Sequence, residues 1–187
     1  ILLQFCLKLD FTELFLQRER TLTEKELEFL ENAIFLRKSG VPVQYILGSW
    51  EFMNMNLKVG EGVLIPREDT AVLVEEVIKN ASSSKGLNLI DLCSGTGCVA
   101  LALEKNLEDF NEICALEYSE KAFEYLSENI KNLGSKVKAV KGNVFEDYNL
   151  FKDDYFDCIV SNPPYIKTKD VKTLDREVLH DPETALD

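Results

Sequence analysis

From Leu87 onward, short apolar runs alternate with stretches of helical spacing, and that rhythm restricts the fold more than anything else in the chain. Leu87 to Leu92 reads as a strand, and Val99, Ala100, Leu101 and Leu103 as the helix after it. Glu112 to Glu117 is the second strand. Ser119 is placed to cap a helix with Phe123, Leu126, Ile130 and Leu133 on its buried side. Val137 to Lys141 and Phe156 to Val160 complete a set of four strands. Strands alternating with helices require right-handed crossovers, so the predicted class is α/β with a parallel, doubly wound sheet. Ligands are then expected at the carboxyl ends of the strands.

The chain before this region follows other periods. Thr23 followed by Glu26 forms a capping box, with Leu27, Leu30 and Ile34 at helical spacing and Gly40 and Pro42 ending the run. Leu2, Leu3, Cys6, Leu7, Leu9, Phe11, Leu14, Phe15 and Leu16 supply more apolar surface than one helix stripe uses, so at least two helices should pack there. Trp50 to Met53 and Asn56 to Val59, parted by a tight polar break, predict a hairpin. Pro66 keeps Ile65 extended. Thr70 or Asp69 then caps a helix with Leu73, Val74 and Val77 on one face, and Ala81 to Gly86 reads as a linker. The domain reading is residues 1–40 helical, 41–68 a linker with the hairpin, and 69–187 the α/β unit.

Charge and cysteine usage narrow the function. The net charge is −12, with six basic and seven acidic side chains before Ser49 against fifteen and twenty-six from there on. No Lys/Arg stripe of the kind that releases counterions on a nucleic acid is visible. Five scattered cysteines, Cys6, Cys93, Cys98, Cys114 and Cys158, suit a reducing cytoplasm; Cys93 and Cys98 are too far apart for a Cys-x-x-Cys hook, and a zinc site is not expected. The longest apolar runs fall far short of the ~20 residues that a membrane span needs.

Two stretches carry chemistry. Asp91-Leu92-Cys93-Ser94-Gly95-Thr96-Gly97 puts glycines at a strand-to-helix turn, where the backbone can approach a ligand and aim N–H groups at it. Twenty residues after Gly97, Glu117 ends the second strand, where a carboxylate can hold both hydroxyls of a ribose. Gly95-x-Gly97-x-x-Ala100 with Glu117 also satisfies the dinucleotide fingerprint, so this stretch alone leaves NAD and S-adenosylmethionine both open. The second stretch, Ser161-Asn162-Pro163-Pro164-Tyr165-Ile166, follows the fourth strand. Consecutive prolines stiffen the backbone and leave carbonyls unpaired. Asn162 adds a side-chain carbonyl and Tyr165 a ring face, a set that suits a planar group bearing an NH2.

Asn162-Pro163-Pro164-Tyr165 after such a glycine loop resembles the amino-methyltransferases, which act on base amines or on a glutamine amide. Pro42-Val43-Gln44-Tyr45-Ile46-Leu47-Gly48, Glu51-Phe52, Leu64-Ile65-Pro66-Arg67-Glu68-Asp69-Thr70 and the closing Asp181-Pro182-x-x-Ala185-Leu186 are similar to the HemK/PrmC family. Those enzymes methylate the glutamine of the Gly-Gly-Gln motif in peptide-chain release factors. The family usually has Pro-Glu at Glu68-Asp69, Glu at Ala71, Asp at Asn143, and Glu-Pro at Asp181-Pro182.

The resemblance implies a Rossmann-like methyltransferase fold using S-adenosyl-L-methionine. Cys93, Ser94, Gly95, Thr96 and Gly97 would wrap its methionine and ribose, Glu117 would hold the ribose hydroxyls, and Asn143 with Val144 would flank the adenine. Asn162 would also touch the cofactor. Asn162 and Pro163 would accept hydrogen bonds from the substrate amide, with Pro164 and Tyr165 beside it and Asn162, Pro163 and Tyr165 as the catalytic set. The helical domain would recognise the release factor in the cytoplasm. No membrane or direct nucleic-acid partner is expected. Alternatives are an amine methyltransferase acting on DNA or RNA, a noncatalytic nucleotide-binding module, and, least suited to Asn162 to Tyr165, a dehydrogenase. The chain opens without Met and ends inside a motif, and only four strands are readable where the family builds seven. It therefore reads as a truncated piece with its C-terminal strands absent, whose last strand is an open apolar edge. Expressed alone, the 187 residues are expected to be poorly soluble or inactive.

Overall fold

The fold was obtained as a computed structural model, which describes residues 1–187 apart from 82, 83, 172, 175 and 187. Among the described residues, six strands divide into two sheets. β1 (Ser49–Phe52) and β2 (Met55–Lys58) form the antiparallel hairpin, while β3 (Leu87–Leu92), β4 (Phe110–Glu117), β5 (Lys138–Lys141) and β6 (Cys158–Ser161) form a parallel sheet in the order β5-β4-β3-β6. β3 pairs with β4 on one side and with β6 on the other, from Leu89↔Cys158 to Leu92↔Ser161. The strand order therefore reverses at β3, and a crevice opens between the ends of β3 and β6.

Helices α1 (Leu2–Leu7), α2 (Phe11–Leu16) and α3 (Glu24–Lys38) form the N-terminal group. The Thr23–Glu26 box is present, with Glu26 Oε2 accepting from Thr23 N at 2.8 Å, and a second box joins Asp10 and Glu13. Phe5 stacks on Phe29 with ring centroids 5.9 Å apart, which joins α1 to α3. Leu30 is buried as expected, but Leu27 and Ile34 are about half exposed, because the short α1 covers one side of α3 only. The segment read as a linker adds α4 (Val43–Leu47), which periodicity did not reveal because five residues are too few to show it. The hairpin turns at Met53 and Asn54, both at positive φ, as a two-residue loop needs for its twist to match the strands.

Helix α5 (Glu68–Ala81) begins before the residues expected to cap it, so Asp69 and Thr70 lie in its first turn. Part of the 81–86 linker lies outside the described residues. α6 (Cys98–Asn106) and α7 (Glu120–Leu133) complete the crossovers, and Ser119 caps α7 by accepting from Ala122 N at 3.4 Å. Leu126 is fully buried, whereas Leu133, the last residue of α7, is exposed. Leu57, Val74, Leu89, Leu101, Leu103, Ile113 and Leu126 form the main core between the hairpin, α5, α6, α7 and one sheet face. Each fully buried leucine there contributes roughly 1.5–3 kcal/mol relative to exposure. A smaller cluster, Ile90, Cys114 and Leu116 with Phe151 and Phe156, covers the opposite face.

Candidate active site

The glycine turn is shaped by backbone that only a few residue types adopt easily. Cys93, Gly95 and Gly97 all have positive φ, at 59°, 58° and 81°. Gly97 has a second constraint: a Cβ there would stand 2.5 Å from Leu126 Cδ1. The turn closes through Gly97 N to Ser94 O at 2.8 Å, and Ser94 N reaches across to Leu116 O of β4 at 3.0 Å. Asn129 of α7, 1% exposed, supports it from behind. Its Oδ1 accepts from Lys58 N at 2.6 Å, and its Nδ2 donates to Lys58 O and to Thr96 O at 3.1 and 3.0 Å. One amide thus fastens the hairpin to the glycine turn.

Two carboxylates hold the turn from the strand side. Asp91 is buried at the end of β3 and accepts from Ser94 Oγ at 2.5 Å and from Ala100 N at 3.3 Å. Burial pushes its carboxyl up to about 7, against the pull of those donors. Glu117 ends β4; its Oε2 accepts from Gly95 N and its Oε1 from Ser119 N, each at 2.7 Å. Each oxygen keeps a lone pair for a ligand hydroxyl.

Asp91, Glu117 and the turn from Cys93 to Thr96 line a cavity of about 340 Å³, within the usual range for small-molecule sites. Cys93, Ser94, Gly95, Thr96, Glu117, Asn143, Val144, Asn162 and Pro164 all reach its wall. Gly97, Pro163 and Tyr165 do not: the side-chain position of Gly97 faces Leu126 and Leu101, Pro163 is exposed, and the Tyr165 ring is 80% exposed. Asn143 is turned into its own loop, with Oδ1 accepting from Phe145 N at 3.0 Å. Asn162 donates from Nδ2 to Thr70 Oγ1 at 3.2 Å. Cys98 and Cys114 are buried, and burial pushes both thiols up to about 12.

Sequence reasoning missed several wall residues. Tyr118 and Phe145 present aromatic surface near Val144; Arg67 and Thr70 come from the start of α5, and Pro182, Thr184 and Ala185 from the closing segment. That segment is anchored by Asp181, whose side chain is inaccessible. Asp181 Oδ1 accepts from Tyr45 OH at 2.9 Å and Oδ2 from Arg67 Nη2 at 2.5 Å. Burial raises its carboxyl even so. The motif letters at Tyr45, Arg67 and Asp181 were visible in the sequence, but nothing there said that they meet.

The family description "methyltransferase small domain" matches residues 68–187, and "PrmC N-terminal domain" matches residues 1–48. A release factor glutamine methyltransferase of Thermodesulfovibrio yellowstonii is 40% identical over 174 residues, covering 92% of this chain and 61% of the relative. One of Geobacter sulfurreducens is 37% identical over 187 residues, covering 100% of this chain and 64% of the relative. The chain thus spans less than two thirds of the length of these relatives. Among solved structures, the T. thermophilus 16S rRNA N2 G1207 methyltransferase (RsmC) in complex with AdoMet and guanosine aligns over 72% of this chain and 38% of its own. The TM-score is 0.52 at 19% identity, a likeness of fold. No helix among the described residues is long and apolar enough to cross a membrane.

Proposed function

Because this chain belongs to the methyltransferase small domain family and bears a PrmC N-terminal domain, as its HemK/PrmC resemblance implied, we propose that it is a protein-glutamine N-methyltransferase. Its substrate is the glutamine of the Gly-Gly-Gln motif in peptide-chain release factors, and its methyl donor is S-adenosyl-L-methionine. The observation that carries this reading is the placement of Asn162 on the wall of the cavity that also holds the glycine turn and Glu117.

The residues present fit that donor. Backbone at Gly95 allows close approach, Glu117 offers acceptors for ribose hydroxyls, and Leu116, Tyr118 and Val144 give an apolar flank for a purine. When bound, S-adenosylmethionine supplies a methyl group on a cationic sulfur that departs as a neutral thioether. An amide nitrogen is a poor nucleophile because its lone pair is delocalised into the carbonyl. Asn162 Oδ1 on the cavity wall, and the carbonyl of its chain neighbour Pro163, which does not itself line the cavity, would accept its two N–H bonds, hold the nitrogen facing the methyl carbon and push electron density onto it. Orientation of this kind is worth up to roughly 7–11 kcal/mol in ideal intramolecular cases. As the N–C bond forms, the nitrogen becomes strongly acidic and releases one proton to solvent, so no dedicated base is needed. The N-terminal helices, with Phe11, Phe15, Leu16 and Phe35 exposed, would recognise the release factor.

The test is full-length enzyme with labelled S-adenosylmethionine and either release factor or nucleic acid, with the label located by mass spectrometry. Label on the Gly-Gly-Gln glutamine is expected, and label on nucleic acid alone would overturn the reading. Asn162→Ala should abolish turnover while leaving cofactor affinity largely intact.

A further inference from the structure

We infer that Thr70 is the positioning residue for Asn162, holding its amide at the cavity wall where the carbonyl oxygen can meet the substrate nitrogen. This rests on the proposed glutamine chemistry and adds a residue to which no role has been given. An asparagine amide is ambiguous by shape: its two ends are nearly the same size, and one accepts while the other donates. In a site that must grip N–H bonds, the flipped amide sets donor against donor. Something must hold the side chain, and the loop does not, because Pro163 and Pro164 stiffen the backbone and leave the asparagine torsions free.

Thr70 supplies the hold. It sits in the first turn of α5 and is 5% exposed, so its hydroxyl has little freedom to follow solvent. Its Oγ1 accepts from Asn162 Nδ2 at 3.2 Å across a separation of 92 residues. With Nδ2 engaged there, Oδ1 accepts no hydrogen bond among the described residues; a hydroxyl can bond either end of an amide, so Thr70 fixes where the side chain lies and the substrate N–H bonds select its acceptor end. Thr70 and Asn162 both lie on the cavity wall, so the contact is made at the site itself. α5 packs into the core through Val74, which is fully buried, so the threonine is carried on a rigid element. An interaction made through Asn162 should act on the chemical step and leave donor binding alone.

Thr70→Val keeps the shape and removes the acceptor, whereas Thr70→Ser keeps the acceptor. In full-length enzyme with a release factor as substrate, Thr70→Val should lower kcat roughly three- to tenfold, the worth of one neutral hydrogen bond. KM for S-adenosylmethionine and Tm should stay near wild type, and Thr70→Ser should recover most of kcat. A second readout needs no turnover. The Asn162 side-chain NH2 resonances, identified by their loss in Asn162→Ala, should shift in Thr70→Val and stay near wild type in Thr70→Ser. Wild-type kcat in Thr70→Val, a loss that serine does not restore, a loss that follows Tm or cofactor KM, or unshifted NH2 resonances would each overturn the inference. A wild-type enzyme that labels no glutamine would overturn the proposed function instead, leaving the resonances to decide the role of Thr70.

Discussion

Replacing Asp91 with asparagine should remove a pH dependence from the stability of the protein. Asp91 is 1% exposed and its carboxyl is pushed up to about 7 from the usual 3.8. Between those values the native state holds a proton that the unfolded chain has released, so stability falls as pH rises through the window and levels off above about 7. At about 1.4 kcal/mol per pH unit, the full window caps this cost at about 4 kcal/mol. From pH 5.5 to pH 8 the part that remains is about 2 kcal/mol. Asparagine keeps an acceptor for Ser94 Oγ and Ala100 N and carries no charge, so it shows none of this slope. Urea denaturation of both proteins, with a reductant for the five free thiols, gives the difference in stability at each pH, and the other carboxylates cancel. Wild type should lose ground against Asp91→Asn by about 2 kcal/mol across the range. Parallel curves would refute the reasoning, because they would mean that Asp91 is already ionised at pH 5.5.

Three further substitutions probe the frame around the site. Asp181→Ala leaves Tyr45 its bond to Val63 O and the half-exposed Arg67 its access to water, so the loss should be roughly 1–3 kcal/mol; a Tm unchanged from wild type would show that the closing segment is held by other contacts. The two glycines of the turn should separate. Gly97→Ala combines left-handed backbone with a Cβ pressed against Leu126 and Leu101 and should cost about 2–5 kcal/mol. Gly95→Ala meets only Val63 at 3.9 Å and should cost about 1–2 kcal/mol. Equal costs in denaturant melts would contradict the packing argument.

Much of this architecture was legible before any coordinates. β3 and β4 bury apolar residues through most of their length, β5 and β6 are short apolar pairs between turn signals, and the glycine turn follows β3 directly, so β3 to β6 and the loop at Cys93 to Gly97 were found within a few residues. Boundaries set by competition were not. α5 starts at Glu68 because Pro66 and Arg67 lead straight into it, although Thr70 looks like a cap. Leu27 and Ile34 follow helical spacing yet face outward, because what covers a helix face is decided by its neighbours.

The sequence by itself determined the parallel sheet, the glycine turn with Glu117 at the next strand end, and the asparagine after the fourth strand. These are local patterns, read from the period of burial and from residue types that special backbone demands. Only the tertiary structure decided which groups meet. It placed Asn162 on Thr70, Asn129 behind Thr96, and Asp181 between Tyr45 and Arg67. It also turned Tyr165 toward solvent, where the motif alone suggested a ring facing the cavity. Such contacts join residues 33 to 136 apart, and a side chain's partner across that distance depends on strand register and helix placement that no local pattern encodes.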